Sequence, residues 1–271
     1  MTTTRIAGMW LAAVFTAAAG GASLSDCQDQ SLHGRRPQAQ ACYQSLLNQQ
    51  DPYLRAEALW ALDQRDQANE FFRAAVAKSP QNPQYKTRWG RLVREGNNKA
   101  DAEGLFQEAL AIDKDYAPAL VGIALVGAED FDKRAVEMAQ KAVELDPKLV
   151  EARELLARLA LEDVDPDRAR KEAKAALAVS PKALDAMVVL AAIELLDGQQ
   201  TKWLDEVAKV NPVYGEGYSL LGHLFVLNRR YEEGIRYYRK AVELSPTYWR
   251  AHSELGVNLM RLGEETEARK H

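Results

Sequence analysis

Prolines that recur at a fixed interval constrain this chain more than any other feature. Pro80, Pro147, Pro181, Pro212 and Pro246 each close a run of helix-forming residues ending in Ser, Asp or Asn, and Lys114 holds the same place after Asp113. The successive intervals are 34, 33, 34, 31 and 34 residues. Proline cannot continue a helix, so each one resets the chain direction at the same point of a repeating unit. A unit of that length fits two helices and a turn. One such hairpin cannot bury its own apolar stripe, and only stacked neighbours complete a core. Composition agrees: among the 47 % hydrophobic residues alanine and leucine dominate, which favours helix over strand. The spacing predicts antiparallel helix hairpins from about residue 38 onward, with no sheet.

The clearest unit is Gly215–Tyr248. Its first helix carries Tyr218, Leu221, Gly222 and Phe225; its second carries Gly234, Tyr238 and Ala241, and Pro246 closes it. Gly222 and Ala241 are small where two helices cross, while Leu221, Phe225 and Tyr238 sit at helical spacing to fill the seam between hairpins. This order resembles the tetratricopeptide-repeat (TPR) pattern, departing from it at Gly234, where alanine is usual. The resemblance implies an all-α fold, a TPR-type α-solenoid in which hairpins stack into a right-handed superhelix.

Other units match by degrees. Pro83–Tyr116 holds Trp89, Gly90, Ala102, Phe106 and Ala109; Ala117–Leu149 holds Ile123, Ala124, Ala135, Ala139 and Ala142, with Phe131 one residue further from Ala135 than the pattern expects. Val150–Ala183 holds Leu156, Ala157, Ala169, Ala173 and Ala176. Leu184–Tyr214 is three residues short, with the deficit at or just after Asp197-Gly198. Asp51–Pro80 reads as a shortened unit, and Pro37–Gln49 as a capping helix before it. A seventh unit begins at Trp249 with Leu255 and Gly256 and stops at His271 within its second helix, so the chain is expected to be a fragment of a longer protein. The expected partition is a signal peptide over 1–22, a capping segment over 23–50 and the TPR array over 51–271.

Arg5, the apolar stretch Ile6 to Ala19 and Gly20-Gly21-Ala22 have the order of a secretory signal, with an apolar run too short to span a bilayer comfortably. Export to the periplasm or cell envelope of a bacterium is the expected localisation, with an uncleaved anchor as the alternative. In an oxidising compartment Cys27 and Cys42, the only cysteines, are able to pair, closing a loop of about 16 residues and stabilising by roughly 3 kcal/mol. The alternatives are a lipid on Cys27, since Leu24-Ser25-Asp26-Cys27 resembles a lipoprotein box except at Asp26, and two unpaired thiols. Contact with a membrane is expected only through such a lipid or an uncleaved signal.

The chain offers little for catalysis. Its four histidines, His33, His223, His252 and His271, form no His-Glu-x-x-His pair, and there is no Gly-rich phosphate loop and no Gly-x-Ser-x-Gly elbow. No enzyme activity, cofactor or metal is expected. The net charge of −4 and the mixing of both signs argue against nucleic acid, and Arg35-Arg36 and Arg229-Arg230 read as solvated turn pairs.

By the family resemblance, the second, fifth, ninth and twelfth residues of each unit line a concave groove. The candidate partner-binding residues are Arg91, Val121, Leu125, Glu154, Arg158, Val188, Ala192, Ser219 and His223. The carboxylate clamp of some TPR domains is not implied, because no lysine stands at its first position. Val121, Leu125, Val188 and Ala192 would give the groove an apolar middle that a protein or peptide covers. The expected function is therefore a protein-interaction scaffold. A narrower resemblance, through Asn211–Tyr218 and Gly256–Gly263, is to exported bacterial proteins whose TPR half precedes a gluzincin metallopeptidase-like domain; it implies the alternative of a non-catalytic arm.

Overall fold

The computed structural model describes residues 22–130 and 132–271. All but one residue of the expected signal segment, and Phe131, lie outside the described residues. Helices account for the regular structure, and there is no strand among the described residues. A first pair, α1 (Leu24–Leu32) and α2 (Arg36–Leu46), precedes the repeats. The hairpins then follow: α3 (Pro52–Ala61) with α4 (Arg65–Lys78), α5 (Pro83–Glu95) with α6 (Lys99–Ile112), and α7 (Ala117–Glu129) with α8 (Arg134–Leu145). After them come α9 (Val150–Glu162) with α10 (Pro166–Val179), α11 (Leu184–Leu196) with α12 (Trp203–Val210), α13 (Gly215–Leu227) with α14 (Tyr231–Leu244), and α15 (Trp249–Arg261) with the short α16 (Glu265–Ala268).

Local chemistry sets the ends. Asp51, Asn82, Asn98 and Asp165 cap α3, α5, α6 and α10 with side-chain oxygens that accept backbone N–H groups of the first turn. Six of the first helices are followed by a left-handed residue: Asp63, Asn97, Val164, Gly198, Arg229 and Gly263 all have φ between 58° and 80°. That conformation folds the chain back for the second helix. Val164 is a β-branched residue in this region, which is strained. The short unit keeps its deficit where the sequence placed it: α12 has only 8 residues and starts with Trp203, well after α11 ends at Leu196.

Small residues let the helices of a hairpin cross. A methyl at Gly222 would stand 2.9 Å from Tyr238 Cδ1 and 3.0 Å from the Gly234 carbonyl. Methyls at Gly90 and Gly122 would fall 2.7 and 2.4 Å from the Phe106 ring, which is fully buried between them. Trp89 and Tyr218 are half-buried beside these crossings, while Leu221, Tyr238, Ala241, Leu255 and Gly256 are buried. Pro246 is exposed, just beyond the end of α14.

The N-terminal pair differs from the expected single capping helix. Helix α1 begins before residue 38 and is opened by a capping box: Ser23 Oγ accepts the Asp26 N–H at 3.2 Å, and Asp26 Oδ2 accepts the Ser23 N–H at 3.0 Å. Asp26, the departure from the lipoprotein box, is thus half of the capping box. Cys27 and Cys42 are joined as a disulfide between α1 and α2, and Cys27 is fully buried.

This pair reaches the far end of the array. Arg36 donates to the carbonyls of Val213 at 3.1 Å and Leu244 at 2.7 Å, and to Ser245 Oγ at 2.8 Å. Leu244 is the last residue of α14, so the guanidinium meets carbonyls at the negative end of that helix. Gly34, with φ 65°, lies so close that a methyl on it would stand 2.3 Å from Asn211 Oδ1. Arg36 is therefore a tie between segments about 200 residues apart in sequence, not a solvated turn residue. Arg230 also departs from that expectation: it pairs with Glu233 and donates to the Leu195 and Leu196 carbonyls at 3.1 and 3.3 Å. Both arginines bridge elements that belong to different hairpins.

Candidate partner-binding groove

The first helices face inward and enclose a groove of about 560 Å³, lined from α7, α9, α11, α13 and α15. A second chamber of about 890 Å³ lies toward α1 and α2. Glu154, Asp185, Tyr214 and Glu216 line both, so they form the waist between the chambers.

The expected groove residues divide into two sets. Leu125, Glu154, Arg158, Ser219 and His223 line the groove, and Arg91 reaches its wall through two hydrogen bonds of 2.7 Å to Glu151. Val121, Val188 and Ala192 do not: they are 0 %, 1 % and 0 % exposed and belong to the core. The expected apolar middle of the groove is thus corrected. The cause is the stacking of first helices. Val188 lies under the next unit, where a methyl on Gly217 would come within 2.9 Å of Val188 Cγ2. Val121 packs in one cluster with Leu155 and Leu156 of α9. Thr87 and Ser219, also fifth in their units, are 2 % and 7 % exposed, whereas Ser253, fifth in α15, is exposed. The next first helix covers Thr87, Val121, Val188 and Ser219, while Glu154 at the same position is half-buried.

The resulting surface is mixed: Leu125, Ala128, Leu155, Leu220 and Trp249 give it an apolar part, and its charged side chains are mostly acidic. Seven carboxylates (Glu129, Glu151, Glu154, Glu162, Asp185, Glu216 and Glu254) line it against three basic side chains, Lys99, Arg158 and Arg250. Three of the acids are ion-paired. Glu129 Oε1 accepts from Arg94 at 2.7 Å and from Arg250 at 3.2 Å, tying α5, α7 and α15 together. Glu151 pairs with Arg91, and Glu162 lies 3.5 Å from Arg158 and 3.3 Å from His223. The other four have no ion pair among the described residues.

Glu154 is the charged residue among these fifth positions and is half-buried. Helix α11 has no side-chain cap of its own at Ala183, and Glu154 Oε1 accepts the Ala186 N–H at 3.2 Å from the preceding unit. A carboxylate is favoured there by the helix dipole, yet burial dominates, with the Asp185 charge adding to it, and the Glu154 carboxyl is pushed up to about 8. Burial also raises Asp185, against the hydrogen bond it accepts from Tyr214 Oη at 2.6 Å. The surrounding walls push Glu216 upward too, although its side chain is open to the water of the groove. Asp185 and Tyr214 were absent from the sequence-derived lining. Asp185 is the second residue of its unit, so the periodicity contained the signal for it; Tyr214 precedes α13 and gave none.

Among the described residues no group of three or more His, Cys, Asp and Glu side chains is arranged to hold a metal ion, and no helix is long and apolar enough to cross a membrane. His252 and His271 approach each other at 2.9 Å between Nδ1 atoms, away from the groove.

Two stretches match tetratricopeptide-repeat family models, residues 53–117 and 215–248. No curated protein is detectably similar in sequence. Among solved structures, the APC/C hetero-tetramer Cut9-Hcn1 superposes with a TM-score of 0.60 at 14 % identity, over 89 % of this chain and 49 % of that one. This chain thus spans about half the length of that relative. TTC0263, a TPR protein of Thermus thermophilus, superposes with a TM-score of 0.52 at 20 % identity, over 66 % of this chain and 99 % of that one. At these identities the likeness concerns the fold, and none of the comparisons carries the metallopeptidase resemblance. The matched stretches lie on either side of three further hairpins built on the same period, and over them the chain carries tetratricopeptide repeats.

Proposed function

We propose that this chain is a scaffold of the bacterial cell envelope that takes a partner polypeptide into the concave groove. TPR repeats support a protein-interaction role in general. The observation favouring this groove as the place is that five successive units contribute to one continuous groove, which Ser219, Leu220 and His223 of α13 help to line. Envelope residence is supported by the disulfide, which persists in oxidising compartments, and by the signal-like order of residues 1–22.

Photo-crosslinking in the producing bacterium tests the reading. A benzophenone side chain replacing groove-facing Leu220 should trap a polypeptide from the envelope fraction, and one replacing Lys174, exposed on α10, should not. Trapping at Lys174 alone would move the interaction to the outer face. Finding the protein in the cytosolic fraction would remove the envelope from the proposal.

A further inference from the structure

The groove does not treat its acids alike. Glu129, Glu151 and Glu162 are already paired with arginine, lysine or histidine, whereas Glu154, Asp185, Glu216 and Glu254 have no cation within ion-pair distance among the described residues. Three of these four sit at the waist. Beside them Ser219 is 7 % exposed, lines the groove and has no hydrogen-bond partner for its hydroxyl. The hydroxyl oxygen itself opens onto the groove, where it is free to bond a group that enters. Carboxylates without a cation and a hydroxyl able to accept together suit a donor-rich, positively charged group.

Resting on the groove reading above, we propose that the waist is a subsite for a lysine or arginine side chain of the partner polypeptide, held between Glu154 and Glu216 with Ser219 as a further acceptor. The paired acids help to orient it, and the unpaired waist selects its charge.

The empty and filled waist differ in protonation. Glu154 faces Glu151 and Arg158 on its own helix, Asp185 from α11, and Tyr214 and Glu216 from the start of α13; Arg36 of α2 and Tyr248 before α15 face Glu216. Without a bound cation this surround holds the proton on Glu154 up to about pH 8. A bound ammonium or guanidinium lowers that value, so binding near neutrality releases a proton and tightens as pH rises. Ordinary attraction to exposed carboxylates, which are ionised throughout, stays flat over the same range.

The test uses the disulfide-bonded protein and three fluorescent decapeptides of equal length, carrying lysine, glutamine or glutamate at alternate serine-flanked positions. The lysine peptide should bind, with affinity rising at least about tenfold from pH 6 to pH 8. Calorimetry in buffers of different ionisation enthalpy should show proton release. Glu154→Gln, which keeps the acceptor for Ala186, and Glu216→Gln should each weaken it about tenfold. Glu70→Gln, an equal loss of charge on exposed α4, should change nothing. If Glu154→Gln melts early, Glu216→Gln alone decides. Equal binding of the glutamine peptide, or equal losses in Glu70→Gln and Glu154→Gln, would overturn the inference, as would full competition by free spermidine at matched charge. If no peptide binds while the Leu220 crosslink persists, this inference fails and the groove reading stands; if the crosslink is lost as well, both fail.

Discussion

Val188 and Ser253 hold the same place in their units, the fifth residue of a first helix, and meet opposite surroundings. Val188 is 1 % exposed beneath α13, and Ser253 is exposed on α15, which also shows Val257 and Met260 at 55 % and 52 %. The difference between α11 and α15 is not in the helices themselves but in what stacks on them. A solenoid position is core or surface according to its neighbour, so the repeat pattern fixes which way a side chain points and leaves its burial to the next hairpin.

The largest effect should come from testing that pair directly. Val188→Asp places a carboxylate in the core with no cation prepared for it, which should destabilise by about 5 kcal/mol. Ser253→Asp should stay within about 0.5 kcal/mol of the parent. Denaturant melts of the two compare like positions. A Val188→Asp melt that overlays the parent would mean that α13 does not cover α11.

Within a hairpin the small-residue crossing is the corresponding constraint. Gly222→Leu has no room between Tyr238 and the Gly234 carbonyl, and should destabilise by about 3 kcal/mol. Gly104→Leu, on α6 with nothing within 4 Å of an added methyl, should not destabilise. Equal melting of the two would show that the crossing is looser than its distances.

Those crossings were legible in the sequence because they are local: Gly222, Gly234, Tyr238 and Ala241 fall within one period. So were the hairpin order, the short unit after Asp197-Gly198 and most polar groove positions. The apolar groove middle was misplaced because Val121 and Val188 are covered by residues about one repeat period away. Helix α1 did leave a mark, the Ser-x-x-Asp box at Ser23 and Asp26, which the lipoprotein resemblance at the same residues obscured. The waist was half legible. Glu154 stood on the expected face, but its role in capping α11 depends on Ala186 of the following unit.

That cap makes the next prediction one of pH. The folded-state value of Glu154, about 8, lies above its ordinary 4.5. The folded chain therefore binds the proton more tightly than the unfolded chain. Stability from this group is fully present below about pH 4.5 and is lost as pH rises toward 8. Asp185 and Glu216 are shifted in the same direction. Glu154→Gln should therefore melt like the parent at about pH 4.5 and be more stable by about 3 kcal/mol at about pH 9. An identical pH profile for the two proteins would mean that Glu154 is solvated, and that the waist is open rather than buried.

The smallest expected effect separates two adjacent arginines. Arg35 makes one local side-chain hydrogen bond, to Gln30 Oε1 at 3.3 Å, while Arg36 reaches Val213, Leu244 and Ser245. Both are exposed, so water offsets much of what Arg36 gains; Arg36→Ala should destabilise by about 1 kcal/mol, and Arg35→Ala by almost nothing. The more telling readout is local. Arg36 contacts carbonyls at the end of α14, so its loss should speed amide exchange around Ser245–Tyr248 while leaving α9 and α10 protected. Arg35→Ala should leave both regions unchanged. Because Gly34 packs against Asn211 at the same junction, Gly34→Ala should reproduce the Arg36→Ala exchange pattern by steric clash rather than by loss of a donor. If neither substitution alters exchange near Ser245, the N-terminal pair does not hold the far hairpin, and the two ends of the superhelix move independently.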